Sequence, residues 1–467
     1  MILFYSRQQK LYKYNEIQDL NNLDEMFNYF KDVDIRLLQV DTETSGFNCH
    51  NDELLLLQLG DQNVQFVLDY NSLTKNDIKR ISEELLNNPK IVKILHNAKF
   101  DIKFLWAFGF EICSVYDTML AETILNGGLE QEKGFFSLKE ILFKYTNKVL
   151  NKSVRDTISK TTYLNEDVIK YAAEDVKHLE LIRGYQLLKL KKYRLVNEDC
   201  DCQNIYTVIG LENNVVFPIA SMEFNGVKLD TDKWSTLSIV IKEELASVEK
   251  DILNEIVSLG YKEFYYSHID LFSPEPELRL NILLSSPQQK LKLLQKLDKN
   301  ITSTDKNILG KFKNRYKLVK LIIEYSKLIK LQTSFIDVMF DFINPNTKRI
   351  HCNFNQIIST GRMSCDKPNL QQIPSKGKLG ALMRECFIPE KGNTFTGGDL
   401  SGCELRIIAE FSGDPIWVNS FLEGKDLHSE LCAATFGIPI ENVKTPSTFK
   451  PDLTYRDIQK TLNFGLA

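Results

Sequence analysis

The stretch Thr396-Gly-Gly-Asp-Leu-Ser-Gly-Cys-Glu-Leu-Arg-Ile-Ile-Ala-Glu-Phe411 places one carboxylate where an extended segment is expected to meet a helix. Two glycines close the extended segment before Asp399, and apolar residues then recur at helical spacing from Leu405 to Phe411. A carboxylate on rigid backbone at such a junction can hold a metal ion. Aspartate is also a favoured N-cap residue. On this stretch alone, Asp399 is either a metal ligand or a helix cap.

Four further motifs surround this stretch in the second half of the chain. Two precede it, Ser359-Thr-Gly-Arg-Met-Ser364 and Pro368-Asn-Leu-Gln-Gln-Ile-Pro374, and two follow it, Lys425-Asp-Leu-His428 and Arg456-Asp-Ile-Gln-Lys-Thr-Leu-Asn-Phe-Gly465. The ordered set resembles the polymerase core of family A DNA polymerases, from about residue 212 to the last residue. The resemblance implies thumb, palm and fingers regions that bind primer-template DNA and dNTPs.

The resemblance also implies roles for single residues. Asp399 matches the first of two carboxylates that hold the catalytic metals, and Glu404 matches the residue that excludes a ribose 2′-hydroxyl. Arg362 matches the arginine at the minor-groove edge of the primer end. Lys376 stands where the family usually has an arginine facing the triphosphate, and His428 matches a histidine that contacts phosphates.

Three residues near the end of the chain recur four apart, which predicts that they share one face of a helix. The two cations, Arg456 and Lys460, are expected to bind phosphates, and Phe464 is expected to stack near the sugar and base. The alternative is a surface pair of cations beside a core phenylalanine.

The sequence departs from the family in two places. The usual Asp-Tyr-Ser-Gln-Ile/Leu-Glu is here Asp399-Leu-Ser-Gly-Cys-Glu404, which puts fidelity in doubt more than metal binding. The sequence also stops at Ala467, before the motif that carries the second metal carboxylate. We expect a partner C-terminal polypeptide of a split polymerase, a remainder beyond an intein or intron, or a fragmentary sequence, and the residues do not choose among these.

Acidic residues also stand out at three places in the first half. Asp41 and Glu43 alternate at the end of a predicted strand, so both side chains leave one face. Asp101 falls in a predicted helix after another strand. Tyr171 and Asp175 lie four apart on another predicted helix, so they share one face. Each alone is more often a solvated turn or a surface residue. Together, four converging carboxylates would repel each other unless divalent cations neutralise them.

This set resembles the DEDD 3′–5′ exonucleases that carry a tyrosine in the third motif, over about residues 30–190. The resemblance implies that the four carboxylates hold two Mg²⁺ or Mn²⁺ ions and that Tyr171 orients the attacking water. Asn97 matches the asparagine usual in the second motif. The alternative for this half is a ribonuclease of the same superfamily that trims structured RNA.

The predicted fold class is α/β: a ribonuclease H-like exonuclease domain (1–195), a polar linker (196–210) and a partial, helix-rich polymerase domain (211–467). The order strand-strand-strand-helix-strand-helix predicts a mixed sheet covered by helices. In the polymerase domain we expect a long helix over 231–259, an exposed loop over 265–276 and a basic thumb helix within 312–342.

Composition adds few constraints. The 58 basic and 62 acidic residues leave a net charge of −4, so DNA binding would depend on local basic surface. Nine cysteines without a framework suggest a reducing cytoplasm, of a bacterium or a phage-infected cell, and no stretch is long and apolar enough for a membrane span. The predicted function is proofreading by single-strand 3′-end hydrolysis within an incomplete polymerase. The alternatives are a stand-alone exonuclease on DNA or RNA and a non-catalytic DNA-holding module.

Overall fold

The computed structural model describes residues 1–8, 16–129, 134–149, 164–196, 202–270, 273–451 and 453–466. Within these ranges the chain forms two compact units, Met1–Gly392 and Asn393–Ala467. Each unit is described separately.

A mixed sheet of seven strands, as far as the structure describes the chain, organises the start of the first unit. Its strands are β1 (Ile2–Tyr5), β2 (Ile17–Asp19), β3 (Leu37–Thr44), β4 (Leu54–Gly60), β5 (Gln65–Asp69), β6 (Val92–Leu95) and β7 (Val115–Asp117). They lie in the order β2-β1-β5-β4-β3-β6-β7. The antiparallel run β3-β4-β5 and the parallel strands β6 and β7 confirm the predicted mixed α/β sheet.

Helices cover both faces of this sheet because its strands are apolar on both sides. Leu38 of β3 belongs to one core cluster with Ile102 of helix Ala98–Ala107, and Leu56 of β4 belongs to another with Ile169 of helix Glu166–Lys177. The other helices of this region are Leu23–Asp32, Lys75–Ile81, Thr118–Leu125, Leu138–Thr146 and Leu179–Val196.

The predicted linker is helical where the structure describes it. Residues 202–210 form the start of a helix, Cys202–Asn225, which we call the connector helix; residues 197–201 lie outside the described residues. Its buried Val216 and Ala220 pack in the same core cluster as Ile102 and Leu105. Apolar residues at helical spacing therefore attach this segment to the sheet domain, which a polar tether would not do.

The rest of the first unit is helical with short strand pairs. Its helices are Thr231–Ser258, Pro287–Leu297, Lys306–Gly310, Lys317–Leu331 and Gly377–Glu385, and its strand pairs join Tyr265–Asp270 to Ser273–Leu280, Asn353–Asn355 to Ser364–Asp366, and Lys228–Leu229 to Phe387–Ile388. The predicted helix over 231–259 is confirmed. The loop predicted over 265–276 is wrong, because these residues form most of an antiparallel pair.

The predicted basic helix is shorter than expected, and part of its charge is paired. It spans Lys317–Leu331, so the cations at 311, 313 and 315 precede it. Arg315 pairs with Asp298 at 3.6 Å, and Lys317 pairs with Glu255 at 3.0 Å. Lys320, Lys327 and Lys330 remain on the helix itself.

The second unit contains the helices Cys403–Ser412, Pro415–Leu422, Leu427–Phe436 and Tyr455–Leu466. The extended segment expected before Asp399 is exposed and forms no strand among the described residues, so the prediction of a strand end there is wrong. Extended backbone becomes a strand only by pairing, and Gly397 and Gly398 add no side chains that could pack. Gly402, at φ 63°, and not Asp399, is the N-cap residue of the following helix.

Candidate functional site

Three acidic side chains of the first unit meet at the end of β3. Ligand oxygens of Asp41, Glu43 and Asp175 all lie within 4.8 Å of one another. In the part of the chain that the structure describes, this is the one such group of three or more potential metal ligands. Asp41 and Glu43 pair across the sheet with Gln58 and Leu56 of β4, on the face covered by the helix that carries Asp175.

The residues predicted for the exonuclease site line one cavity of about 290 Å³. The walls contain Asp41, Glu43, Asn97, Asp101, Tyr171 and Asp175. Tyr171 and Asp175 lie one turn apart on helix Glu166–Lys177, and both are buried. The structure therefore brings together residues that are up to 134 positions apart, from Asp41 to Asp175.

Asp101 enters the cavity from the opposite face of the sheet. Its helix packs on the core cluster around Leu38, and its carboxylate accepts a hydrogen bond of 2.6 Å from the Thr42 hydroxyl. The pKa of Asp101 is raised to about 7, mainly by burial; the Thr42 hydrogen bond opposes this rise, and the nearby Asp117 and Glu43 carboxylates add to it. A divalent cation beside this carboxyl group would favour its ionised form.

The start of the Asp101 helix is fixed by a buried carboxylate that the sequence analysis did not select. Asp117 accepts hydrogen bonds from the backbone N–H groups of Asn97 and Ala98 at 3.0 and 2.8 Å. It also accepts from Met119 and Leu120 at the start of the next helix. Asn97 has φ 64°, so its left-handed backbone turns β6 into the helix. The signal was present, since an aspartate stands directly before an apolar stretch with helical spacing.

The donor set fits hard divalent cations. Carboxylate oxygens are the ligands that Mg²⁺ and Mn²⁺ prefer, and three such oxygens within 4.8 Å would repel each other without a counterion. The group contains no thiol or imidazole that would favour zinc. The site therefore has the chemistry of a divalent-cation site.

The second unit brings together four of the residues predicted to bind phosphates and nucleotide. Arg456, Lys460 and Phe464 lie on helix Tyr455–Leu466, and His428 lies on helix Leu427–Phe436. The rings of His428 and Phe464 are 5.8 Å apart. Lys460 is exposed and Phe464 is half exposed, so both can contact a ligand.

Two of these residues have protein partners that the sequence did not reveal. Arg456 donates to the Asp426 carboxylate at 2.6 Å. Burial opposes ionisation of Asp426, but hydrogen bonds from Arg456 and Ser429 hold its pKa at about 2. The Asn463 amide contacts Nδ1 of His428 at 2.9 Å, and burial lowers the pKa of that histidine.

The remaining predicted polymerase residues are on exposed backbone. Arg362 lies between the strands Asn353–Asn355 and Ser364–Asp366, and Lys376 is the N-cap residue of helix Gly377–Glu385. Asp399 and Glu404 are exposed in the second unit. Unlike Asp41, Glu43 and Asp175, Asp399 belongs to no group of three or more potential metal ligands among the described residues.

Two family models match the chain in the order that the sequence predicts. The model described as 3′-5′ exonuclease matches residues 14–190, and the model described as DNA polymerase family A matches residues 241–467. These two matches, exonuclease first and polymerase second, define the class of protein.

Relatives support the same class. The chain is 30% identical to DNA polymerase I of Aquifex aeolicus over 92% of this chain and 68% of that protein. It is 28% identical to DNA polymerase I of Borreliella burgdorferi over 97% of this chain and 47% of that protein. The chain belongs to DNA polymerase family A, and it spans from about half to two thirds of these two relatives.

A solved structure agrees at the level of the fold. It is described as the POL domain of Pol1 from M. smegmatis in complex with DNA primer-template and dNTP. The TM-score is 0.70 at 21% identity, over 95% of this chain and 70% of that chain. Among the described residues, no helix has both the length and the apolar character needed to cross a bilayer.

Proposed function

We propose that this chain hydrolyses DNA from the 3′ end, as the proofreading part of a family A DNA polymerase. The observation that carries the proposal is the group of Asp41, Glu43 and Asp175, whose oxygens lie within 4.8 Å in a cavity that also contains Asp101 and Tyr171. When bound, a pair of divalent cations lowers the pKa of an attacking water and neutralises charge on the leaving oxygen.

In this proposal the side chains of the cavity have separate roles. Asp41, Glu43, Asp101 and Asp175 hold the cations, and the Tyr171 hydroxyl orients the water. Thr42 keeps the Asp101 carboxylate turned toward the cavity. Asn97, at the cavity wall, contacts the terminal nucleotide. A frayed 3′ end fits better than duplex DNA, because a cavity of about 290 Å³ is too small for a base pair together with its two backbones.

The test is hydrolysis of a 5′-labelled single-stranded oligonucleotide by the purified chain with Mg²⁺ or Mn²⁺. The wild type should shorten the labelled oligonucleotide stepwise from its 3′ end, and chelation of the divalent cations should stop the hydrolysis. Asp175→Asn should lower the rate by at least about 100-fold, because it removes one metal ligand. Wild-type rates in this variant would refute the proposed site.

The adjacent residue gives a matched control. Glu174 lies on the same helix but pairs with Lys177 at 2.9 Å and with His178 at 3.4 Å, away from the acidic group. Glu174→Gln should change the rate little. An RNA oligonucleotide of the same sequence tests the ribonuclease alternative, and preferential RNA hydrolysis would favour it.

We also propose that the second half binds primer-template DNA and dNTPs for polymerisation. Support comes from the polymerase family model over residues 241–467 and from the cluster of His428, Arg456, Lys460 and Phe464. In this proposal Asp399 holds catalytic metal, Glu404 excludes ribonucleotides, and Arg362 and Lys376 contact the primer end and the triphosphate.

Polymerisation would also require a segment that supplies a second carboxylate. The described residues place no acidic group of three or more around Asp399. Phe411 and Leu422 of the second unit are 89% and 79% exposed, which suits an apolar contact with such a segment. We propose a C-terminal polymerase polypeptide as this partner, and the cytoplasm of a bacterium or phage-infected cell as the place of action.

A further inference from the structure

A buried carboxylate of the connector helix contacts two elements that carry predicted site residues, one in the exonuclease part and one in the polymerase part of the first unit. Glu223, near the C-terminal end of the helix, is 3% exposed. Its neighbours are the Asp101 helix (Ala98–Ala107) and a pair of strands, Asn353–Asn355 and Ser364–Asp366, which we call the Arg362 hairpin because Arg362 lies between them.

Each Glu223 oxygen has its own partners. Oε1 accepts from the Lys99 ammonium and from the Phe354 backbone N–H, both at 2.6 Å, and Oε2 accepts from the Lys103 ammonium at 2.5 Å. Lys99 also contacts the Asn353 side chain at 3.2 Å and the Phe354 carbonyl. One carboxylate therefore joins the Asp101 helix to the Arg362 hairpin.

The geometry of the Asp101 helix shows how this contact acts on the active site. Lys99 and Lys103 are four residues apart and share one face, whereas Asp101, two residues from each, points away from that face. Glu223 thus holds the back of the helix while Asp101 lines the cavity at its front.

Neighbouring contacts of the connector helix support the same function. Gln356, next to the hairpin strand, donates to Glu212 of the connector helix at 2.6 Å. At the start of the Asp101 helix, the connector's Asn213 accepts from the Asp117 N–H at 2.7 Å, and Asp117 caps that helix. The connector helix is therefore bonded to both elements at more than one point.

We propose that Glu223 is a positioning residue, which holds the Asp101 helix and the Arg362 hairpin in one arrangement so that a frayed primer end passes from the hairpin into the exonuclease cavity. The proposal rests on the exonuclease function proposed above. Without the carboxylate, the Lys99 and Lys103 ammonium groups lose the counterion that they share, and the Phe354 N–H of the hairpin loses its acceptor. The direct contacts of Lys99 with Asn353 and Phe354 then lose the charge that fixes the Lys99 side chain. Hydrolysis of a free single strand needs only the cavity, whereas hydrolysis at a primer end needs both elements.

The experiment compares two substrates for the full chain and its Glu223→Gln variant. One substrate is a single-stranded oligonucleotide, and the other is a primer-template with three mismatched 3′-terminal nucleotides on the primer. The ratio of the primer-end rate to the single-strand rate should fall about tenfold in the variant, since small displacements of a reacting end cost one to two orders of magnitude.

Glu122→Gln is the matched control. Glu122 is fully buried and pairs with Lys144 at 2.6 Å, but its partners Lys144, Tyr145 and Gln186 all belong to the sheet domain. This variant also removes a buried charge, so it reports general loss of stability. It should affect both substrates equally and leave the ratio unchanged.

Hydrogen exchange supplies a readout that does not depend on hydrolysis. In Glu223→Gln, the amides of both residues 98–107 and residues 351–356 should exchange faster, while helix Thr231–Ser258 should not change. An equal loss on both substrates, an unchanged ratio, or unchanged exchange in either segment would overturn the proposal. If the wild type hydrolyses neither substrate, the proposed nuclease function fails, and the exchange result alone decides whether Glu223 joins the two elements.

Discussion

The hydrogen bond from the Thr42 hydroxyl to Asp101 can be removed by a single substitution that leaves every carboxylate of the acidic site in place. It donates to Asp101 at 2.6 Å, and this hydrogen bond lowers a pKa that burial raises to about 7. Thr42→Val should therefore raise the pKa of Asp101 and slow hydrolysis by about ten- to hundredfold, in line with about 1.5–3 kcal/mol for a hydrogen bond to a charged group. The measurement is the pH–rate profile on single-stranded DNA.

The sign of the expected shift follows from the ionised form being active. With a higher pKa, Asp101 ionises only at higher pH, so the acid limb of the profile moves to higher pH. Thr44→Val is the control, because Thr44 lies on the same strand and donates to the Gly46 carbonyl at 2.7 Å. An acid limb at the wild-type pH in Thr42→Val would contradict the assignment.

At the scale of residues, much of the acidic site could be predicted from the sequence. Asp41 and Glu43 alternate on a strand and Tyr171 and Asp175 lie four apart, and both patterns fix a shared face without tertiary information. The contacts of Thr42 and Glu223 could not be predicted, because each joins residues far apart in the chain. For the same reason the Asp426 partner of Arg456 was missed, since the two are 30 positions apart.

At the scale of elements, Asp117 caps two helices at once. Its carboxylate accepts backbone N–H groups at the start of helix Ala98–Ala107 and of helix Thr118–Leu125. Asp117→Ala should lower the free energy of unfolding by about 3 kcal/mol, because two caps are lost and buried N–H groups lose their acceptor. Urea unfolding of the purified variant measures this loss.

A residue that caps a single helix provides a reference for the loss of stability expected in Asp117→Ala. Asn22 caps helix Leu23–Asp32 by accepting from the Glu25 N–H at 3.2 Å at the surface. Asn22→Ala should cost about 1 kcal/mol. Equal losses in the two variants would show that Asp117 supports only one helix.

Two histidines in ring contact join the loop after β3 to the segment before the Arg362 hairpin. The rings of His50 and His351 are 4.4 Å apart, and each ring donates to a connector-helix carbonyl at 2.8 Å, His50 to Phe224 and His351 to Glu223. Burial lowers the pKa of both. The carbonyl hydrogen bonds raise it in part, and the Lys103 charge lowers it further for both, as do His50 and Arg349 for His351.

A lowered histidine pKa makes stability depend on pH in one direction. The unfolded chain takes up protons below about pH 6.5, before the folded rings do, so stability present above that pH is lost as the pH falls through the folded pKa values. Between pH 7 and 5 the wild type should lose more stability than the double variant His50→Gln, His351→Gln. His268→Gln, on the strand Tyr265–Asp270, is the control, and equal losses in all three proteins would contradict the prediction.

At the scale of elements, the sequence predicted the long helices better than the strand pairs. Long apolar periodicity located helix Thr231–Ser258 closely, whereas the strand pair Tyr265–Asp270 and Ser273–Leu280 was taken for a loop. Ser273-Pro-Glu-Pro276 indicates a turn locally, and only pairing with the other strand makes it extended structure. The start of the connector helix, residues 202–210, was taken for a linker because the polar residues at 198–202 hide it.

At the scale of the whole molecule, the chain alone should hydrolyse DNA but should not synthesise it. The carboxylates of the exonuclease cavity meet within one unit, whereas Asp399 has no such acidic group among the described residues. The chain alone should therefore shorten a primer in the presence of dNTPs without extending it, and extension should appear once the proposed C-terminal polymerase polypeptide is added. Extension by the chain alone on a 5′-labelled primer-template would contradict this prediction.

The most direct test of the central claim is the location of manganese in crystals of the chain grown with Mn²⁺ and a deoxynucleoside monophosphate. Anomalous difference maps should show two peaks bound by Asp41, Glu43, Asp101 and Asp175, about 3.5–4 Å apart as in two-metal phosphodiester sites. The Asp175→Asn variant should lose at least one peak. The absence of manganese from this cavity in the wild type, with the four carboxylates ordered, would contradict the claim that they form the hydrolytic site.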